Sequence, residues 1–293
     1  MGYSGRYHAA SLVAVFIALT VGILIGVGLA DDVVSSTSQE LEDSLRSNLD
    51  DAESRRDALA TELNRERDFG GRIYPALVSD RLFASSVALV GFDQLSPEIA
   101  ADVEEALAPT GATVDAVAVV SLPPDPDALA DAAPVRLSAA RRGGEGLRRL
   151  GRVAGAGLSG GSSTLDDLRS TLFSRFSGEL ESVDRVIFAG GIPEELEPEQ
   201  QEDSEALVNG MLEGAAGTSS AVVGVERTGT DPSTLAPFSE AGIPTVDHLD
   251  LVAGQVSLVF SLLGAGGDYG VKEGADSFLP ELITPTSGEL IGP

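Results

Sequence analysis

The chain has 293 residues, 43% of them hydrophobic, with no Trp and only 5% aromatics, so it is long and apolar enough to fold around an aliphatic core. Asp and Glu outnumber Lys and Arg 46 to 19, a net charge of −27, which argues against nucleic acid or a broad anionic bilayer surface as a partner. Cysteine is absent, which removes disulfides and thiolate metal sites and leaves cysteine usage silent on redox compartment.

Ala9 to Ala30 carry no charged side chain, and 12 of these 22 residues are Leu, Ile, Val or Phe. As a helix the run is about 33 Å long, which matches a ~30 Å hydrocarbon core. The apolar side chains favour insertion by roughly 5 kcal/mol. Gly28-Leu29-Ala30 has the small-x-small form of a signal cleavage site, but the run is longer than a signal h-region and only Arg6 precedes it. A retained transmembrane helix is therefore expected over 9–30. Arg6 before the span and Asp31-Asp32 after it place residues 1–8 in the cytoplasm and everything beyond the span outside it. Small residues recur every fourth position, at Ala10, Ala14, Ala18, Gly22, Gly26 and Ala30. That ridge predicts pairing of two membrane helices, centred on Ala14, Ala18, Gly22 and Gly26; the plainer reading is that Gly and Ala are common in any span.

Residues 31–69 read as a helical stalk. Val34 and Leu41 at d, with Leu45, Ala52 and Leu59 at a, fit a heptad, while Asn48, Arg55 and Glu62 occupy its remaining seam positions. A short parallel coiled coil is expected with Leu41, Leu45, Ala52 and Leu59 in the seam, giving a homodimer; a lone amphipathic helix is the alternative. Gly70-Gly71, followed by Pro75, predicts the end of this helix.

Over 80–264 short aliphatic runs alternate with helical stretches. Strands are predicted at Val87–Phe92, Val114–Val120, Arg185–Ala189, Ala221–Val225 and Ile243–Asp247. Helices are predicted at Ser96–Ala108, Thr164–Phe176, Gln201–Glu213 and Leu251–Leu263. The alternation implies an α/β domain with a parallel sheet, of Rossmann or flavodoxin-like type, and helices on both faces. Ser96 with Pro97, and Ser163-x-x-Asp166, read as helix starts. Residues 121–162 are irregular, with Pro123, Pro124 and Pro126 ahead of Arg136, Arg141, Arg142, Arg148, Arg149 and Arg152. These arginines serve either an acidic partner or, as favoured, the chain's own carboxylates. The Gly/Pro-rich tail 265–293 lacks periodicity and reads as an extended segment laid over the domain.

Candidate chemistry is sparse. Gly155-Ala156-Gly157-Leu158-Ser159-Gly160 has dinucleotide-loop spacing, and Gly157-Leu158-Ser159-Gly160-Gly161 has that of a nucleophile elbow. Both motifs need a strand immediately before them, and the preceding Leu147-Arg148-Arg149-Leu150-Gly151-Arg152 does not supply one. A flexible glycine loop is the better reading. His248 is the only histidine beyond the membrane segment, and with Asp247 and Asp250 it forms a weak metal candidate at a strand end. The run Glu194, Glu195, Glu197, Glu199, Glu202, Asp203 and Glu205 reads as a solvated face leading into a helix. No catalytic, cofactor-binding or metal residue is assigned, and the chain is not expected to be an enzyme.

The block His8-Ala9-Ala10-Ser11-Leu12-Val13-Ala14-Val15-Phe16-Ile17-Ala18-Leu19, followed by Val21-Gly22-Ile23-Leu24-Ile25-Gly26, resembles the actinobacterial MctB-type copper transport proteins. Ala189-Gly190-Gly191-Ile192-Pro193, Tyr269-Gly270 and Gly274-Ala275-Asp276-Ser277 continue the resemblance in the same order of parts. It implies an envelope protein of copper homeostasis or efflux, with copper as the transported ion. Through a related member it also implies a role in cell separation beside peptidoglycan hydrolases. No catalytic residues carry over. Copper(I) prefers thiolate and thioether ligands, yet the chain has only Met1 and Met211. A single span cannot enclose a pore alone, so a non-catalytic dimeric scaffold recruiting envelope partners stands beside the transport reading.

Overall fold

The structure is a computed structural model that describes the backbone of residues 5–281 and the side chains of residues 7–27 and 44–281. Asp31, Asp32, Val34 and Leu41 among the predicted orientation and stalk residues, and the tail beyond 281, lie outside the described side chains. The chain divides into two compact units, Met1–Glu66 and Arg67–Pro293. Helix α1 (Gly5–Val78) runs through the first and supplies the opening element of the second.

The stop predicted at Gly70-Gly71 does not occur: α1 continues to Val78 with Pro75 inside it. Proline removes one helical hydrogen bond, but this last stretch is held by tertiary packing. Tyr74 and Val78 are buried, and the Tyr74 hydroxyl donates to the Ala106 carbonyl at 2.5 Å. Burial, reinforced by the charge of Glu105, raises the Tyr74 pKa and keeps the phenol protonated.

The second unit is a mixed α/β fold. Its strands are β1 (Ser86–Phe92), β2 (Thr113–Val120), β3 (Phe173–Gly178), β4 (Arg185–Gly190), β5 (Ala221–Val225), β6 (Thr245–Val246) and β7 (Asp268–Tyr269). They form one open sheet in the order β3-β2-β1-β4-β5-β6-β7, with every pair parallel except β2–β3. The helices are α2 (Pro97–Leu107), α3 (Pro126–Ala132), α4 (Gly144–Gly157), α5 (Ser163–Leu172), α6 (Pro198–Ala216), α7 (Ala236–Glu240) and α8 (Val252–Leu262).

Alternation along the central strands sends side chains to two separate cores. Ala88, Val90, Phe92 and Phe188 meet Leu147, Leu165, Leu207 and Phe238 on one face. Val87, Leu89, Ile187 and Ala189 meet Val103, Val256 and Phe260 on the other. Both faces are covered, which is why these strands read as unbroken aliphatic runs. Phe92, Phe188 and Phe238 form an aromatic cluster with centroids 5.4–6.1 Å apart.

Several local expectations need correction. The helix predicted over Thr164–Phe176 ends at Leu172, and the chain turns directly into β3. The open edge of β2 captures that segment through antiparallel pairing, Val117 opposite Ser177 and Ala118 opposite Phe176. The α5 cap is Ser162, whose hydroxyl accepts the Leu165 N–H at 3.1 Å, one residue before the predicted Ser163. Ser96 does cap α2, accepting the Ile99 N–H at 3.1 Å ahead of Pro97.

Segment 121–162, expected to be irregular, contains α3, a 3-10 stretch at Val135–Arg142 and the well-packed α4. Gly151 and Gly155 of α4 abut the Leu207 and Met211 carbonyls of α6. Reciprocally, Gly210 and Gly214 of α6 abut the Arg148 and Arg152 carbonyls of α4. A Cβ at any of the four would lie 2.0–2.4 Å from a backbone oxygen. These glycines thus let two helices touch main chain to main chain.

Candidate functional site

In open parallel sheets ligands collect beyond the carboxyl ends of the strands, and here those ends are built from carboxylates and the returning tail. Glu226 directly follows β5 and is 1% exposed. Its Oε1 accepts the Ser233 hydroxyl at 2.7 Å and the Lys272 ammonium at 2.7 Å. Its Oε2 accepts the Thr234 N–H at 2.8 Å and hydroxyl at 3.2 Å. Lys272, the single lysine of the chain, also donates to the Thr230 carbonyl at 2.5 Å and the Arg227 carbonyl at 3.3 Å. Asp247, just past β6, accepts the Val271 N–H at 2.9 Å and the Lys272 N–H at 2.7 Å. Two buried carboxylates therefore hold one turn of the tail. Gly270 makes the approach possible, since a Cβ there would lie 1.9 Å from the Asp247 carboxyl carbon.

The same edge gathers the other motifs that carry the family resemblance. Gly190 has φ +80°, and a Cβ on it would sit 2.9 Å from the Phe92 carbonyl oxygen where β1 and β4 end together. Asp276 Oδ2 accepts the Asp268 N–H at 3.0 Å, and Gly270 N–H donates to the Ser277 carbonyl at 2.9 Å. Over its described residues, 265–281, this segment forms a short strand plus a return. Beside it lies a cleft of about 350 Å³, walled by Ser239, Thr245, Asp247, Asp268, Lys272 and Glu273 among others. Asp268 is fixed there by the Ser239 hydroxyl at 2.6 Å and the Thr245 hydroxyl at 2.7 Å.

His248 is fully buried, its Nδ1 3.2 Å from Asp247 Oδ1 and its ring stacked on Phe278 at 5.2 Å. Burial lowers its pKa, against the opposing pull of Asp247, so the imidazole is neutral at pH 7. Asp250 turns away to the Thr228 N–H at 2.7 Å and hydroxyl at 3.0 Å. Burial pushes the Asp250 carboxyl up, but those two donors, its own backbone N–H and the charge of Arg227 together lower its pKa. Asp247 thus touches both His248 and the returning tail, while Asp250 is committed to Thr228. Among the described residues no group of three or more His, Asp or Glu side chains is placed to hold a metal ion.

The glycine motifs resolve differently from the expected loop. Gly155 and Gly157 lie inside α4, and no strand precedes them. Ser159 pairs with the Ser220 hydroxyl beside the amino end of β5, whereas His248 follows the carboxyl end of the parallel β6. Ser159 and His248 are therefore at opposite ends of the sheet and do not pair, and Gly155 and Gly157 lie in helix rather than in a dinucleotide loop.

Three of the six arginines in that segment meet the chain's own carboxylates. Arg141 pairs with Asp127 and Asp131, and Arg148 and Arg152 clamp Glu213. Glu213 is held below the usual carboxylate range, chiefly by hydrogen bonds from Arg148 and then Arg152. Most of the acidic run before α6 is exposed, but two members have specific work. Glu197 forms a capping box with Gln200, and Asp203 accepts the Gly144 N–H at 2.8 Å, capping α4 from the neighbouring helix.

Within the first unit, Tyr7–Val27 is a helix long and apolar enough to cross a membrane, with every described side chain exposed. Ala14, Ala18, Gly22 and Gly26 lie on it, and a Cβ on either glycine would meet no atom within 4 Å. Leu45, Ala52 and Leu59 of the predicted seam are exposed as well.

A family model described as "Copper transport outer membrane protein, MctB" matches residues 3–280, from the apolar helix through the tail. The chain belongs to the MctB family. Relatives named "Copper transporter MctB" in Mycobacterium bovis and Mycobacterium tuberculosis are 33% identical to it over 84 residues. That similarity covers 29% of this chain and 27% of each relative's own length. In this member of the MctB family the described sheet is open, with β3 and β7 at its edges.

No sequence motif marks Glu226 or Lys272. The available signal was the solitary lysine directly after Tyr269-Gly270, which marks a position where one cation has a specific carboxylate to meet.

Proposed function

We propose that this chain is a single-pass, membrane-anchored envelope protein of copper homeostasis, acting as a non-catalytic accessory to transport. The anchor is the Tyr7–Val27 helix. The positive-inside flank of Arg6 then places the α/β domain outside the cytoplasm. Two copies pair through the small-residue ridge of that helix and through the stalk that follows. The strand order β2-β1-β4-β5-β6 within the sheet supports a flavodoxin-like reading of the domain.

One observation carries the accessory role. Among the described residues one helix is long and apolar enough to cross a membrane, and it is joined to a domain whose soft-ligand supply is a single methionine, Met211, fully buried in the core. Copper(I) asks for thiolate or thioether donors. A chain built this way positions or recruits a transport or envelope partner rather than lining a path for the ion.

A second reading, a scaffold for cell separation that recruits or regulates peptidoglycan hydrolases, is favoured by the same geometry. The domain carries two cores and a carboxyl edge partly covered by the returning chain, and among the described residues Ser159 and His248 lie at opposite ends of the sheet. A strain lacking the chain separates the two. Raised copper content and copper sensitivity with normal septation support the first reading. Chained cells with normal copper content overturn it in favour of the second.

A further inference from the structure

From Ser44 to Glu66 every side chain of α1 is exposed, so burial within the described residues does not hold this stretch helical. Helices of ordinary composition draw most of their stability from packing an apolar face, and this one carries such a face. Leu45, Leu49, Leu59 and Leu63 are 60%, 59%, 66% and 50% exposed. The positions 45, 49, 52, 56, 59 and 63 follow one another in steps of four, three, four, three and four residues. That alternation is the a/d period of a left-handed coiled coil, and five of its six positions are Leu or Ala. The register with Leu45, Ala52 and Leu59 at a behaves worse: it fills d with Asn48, Arg55 and Glu62 and leaves Leu49 and Leu63 on the flank.

We infer that the stalk is a parallel two-stranded coiled coil between two copies of this chain, with Leu45, Ala52 and Leu59 at d and Leu49, Arg56 and Leu63 at a. The inference rests on the anchored reading above. Two copies whose Tyr7–Val27 helices enter one bilayer in the same sense must present their stalks parallel, so identical positions face each other. A stripe of a/d leucines is self-complementary in that arrangement, and leucine at d suits two strands. Arg56 is the one polar seam residue, and it carries its own counter-ion: Nη2 lies 2.9 Å from Asp57 Oδ1. A single cation at one a position lowers stability while fixing register, because any slipped pairing sets it against leucine.

The chain contains no cysteine, so single-cysteine variants of the full-length protein in membranes read the seam directly. Leu49→Cys and Leu63→Cys are expected to give several-fold more disulfide-linked dimer under mild oxidation than Asn48→Cys and Glu62→Cys. Excess crosslinking at 48 and 62 overturns the register while leaving pairing intact. No crosslink at any stalk position, with Gly22→Cys crosslinking normally, overturns the coiled coil but not the membrane pairing. No crosslink at either place removes the dimer altogether. As an independent reading, Arg56→Leu is expected to raise the dimer fraction several-fold in detergent and Arg55→Leu to leave it unchanged; the reverse order overturns the proposal.

Discussion

Substituting Gly155 by alanine tests the reading of α4 and α6 as helices in main-chain contact. The added Cβ would lie 2.0 Å from the Met211 carbonyl oxygen and 2.8 Å from its Cα. Ordinary contact begins near 3.4 Å, so the two surfaces must part by about 1.4 Å. The obstacle is backbone, which cannot swing aside like the end of a side chain. Overpacking of this kind costs about 3 kcal/mol at the upper end of its usual range. Alanine returns about 1 kcal/mol of helix propensity, leaving a net loss of about 2 kcal/mol or more. For a unit of this size that is a fall in Tm of roughly 4–8 °C, measured by far-UV circular dichroism on the full chain in detergent. Gly71→Ala is the control, because it gains the same propensity in α1 and its Cβ meets nothing within 4 Å. The reasoning is refuted if Gly155→Ala melts at or above the wild-type temperature alongside Gly71→Ala.

Lys272→Met leaves the Glu226 carboxylate buried without its cation, and is expected to cost about 3–5 kcal/mol in urea unfolding; adding Glu226→Gln should recover a large part of that loss, and no recovery would contradict the pairing. For His248, the folded pKa lies below the unfolded value of 6.5, so the unfolded state binds the extra proton. Stability is then full above about pH 6.5 and declines as pH falls below it toward the folded pKa. His248→Gln should flatten the Tm profile between pH 7 and the onset of carboxylate titration, and an unchanged slope would reject the assignment. Intact mass of protein purified from membranes should retain the residues before Ala30, whereas a mature chain beginning at Asp31 would remove the anchor.

The long apolar helix at the start of the chain is legible because its signal is composition over a fixed length, which needs no partner to be read. The same holds for β1, β4 and β5, whose aliphatic runs follow from burial on both faces, for the second half of β2, and for Ser96 at the start of α2. Beyond these, local pattern was overruled by contacts that sequence spacing does not record. Leu165, Leu168, Leu172 and Phe176 keep a helical spacing, yet the free edge of β2 pulls the last of them into β3 because pairing satisfies backbone groups on both segments. Gly70, Gly71 and Pro75 favour a break, yet burial of Tyr74 and Val78 holds the helix through them.

Gly155 belongs to a run with cofactor-loop spacing, and only when α4 and α6 are seen side by side does it read as a helix contact, with Gly151, Gly210 and Gly214. Glu226 and Lys272 are separated by 46 residues, and nothing short-range in either segment announces the other. Composition and period therefore determined which stretches seek lipid or a core. Tertiary structure alone decided which glycines permit contact and which charges are buried in pairs, because both depend on surfaces that meet only after the chain has closed over long loops.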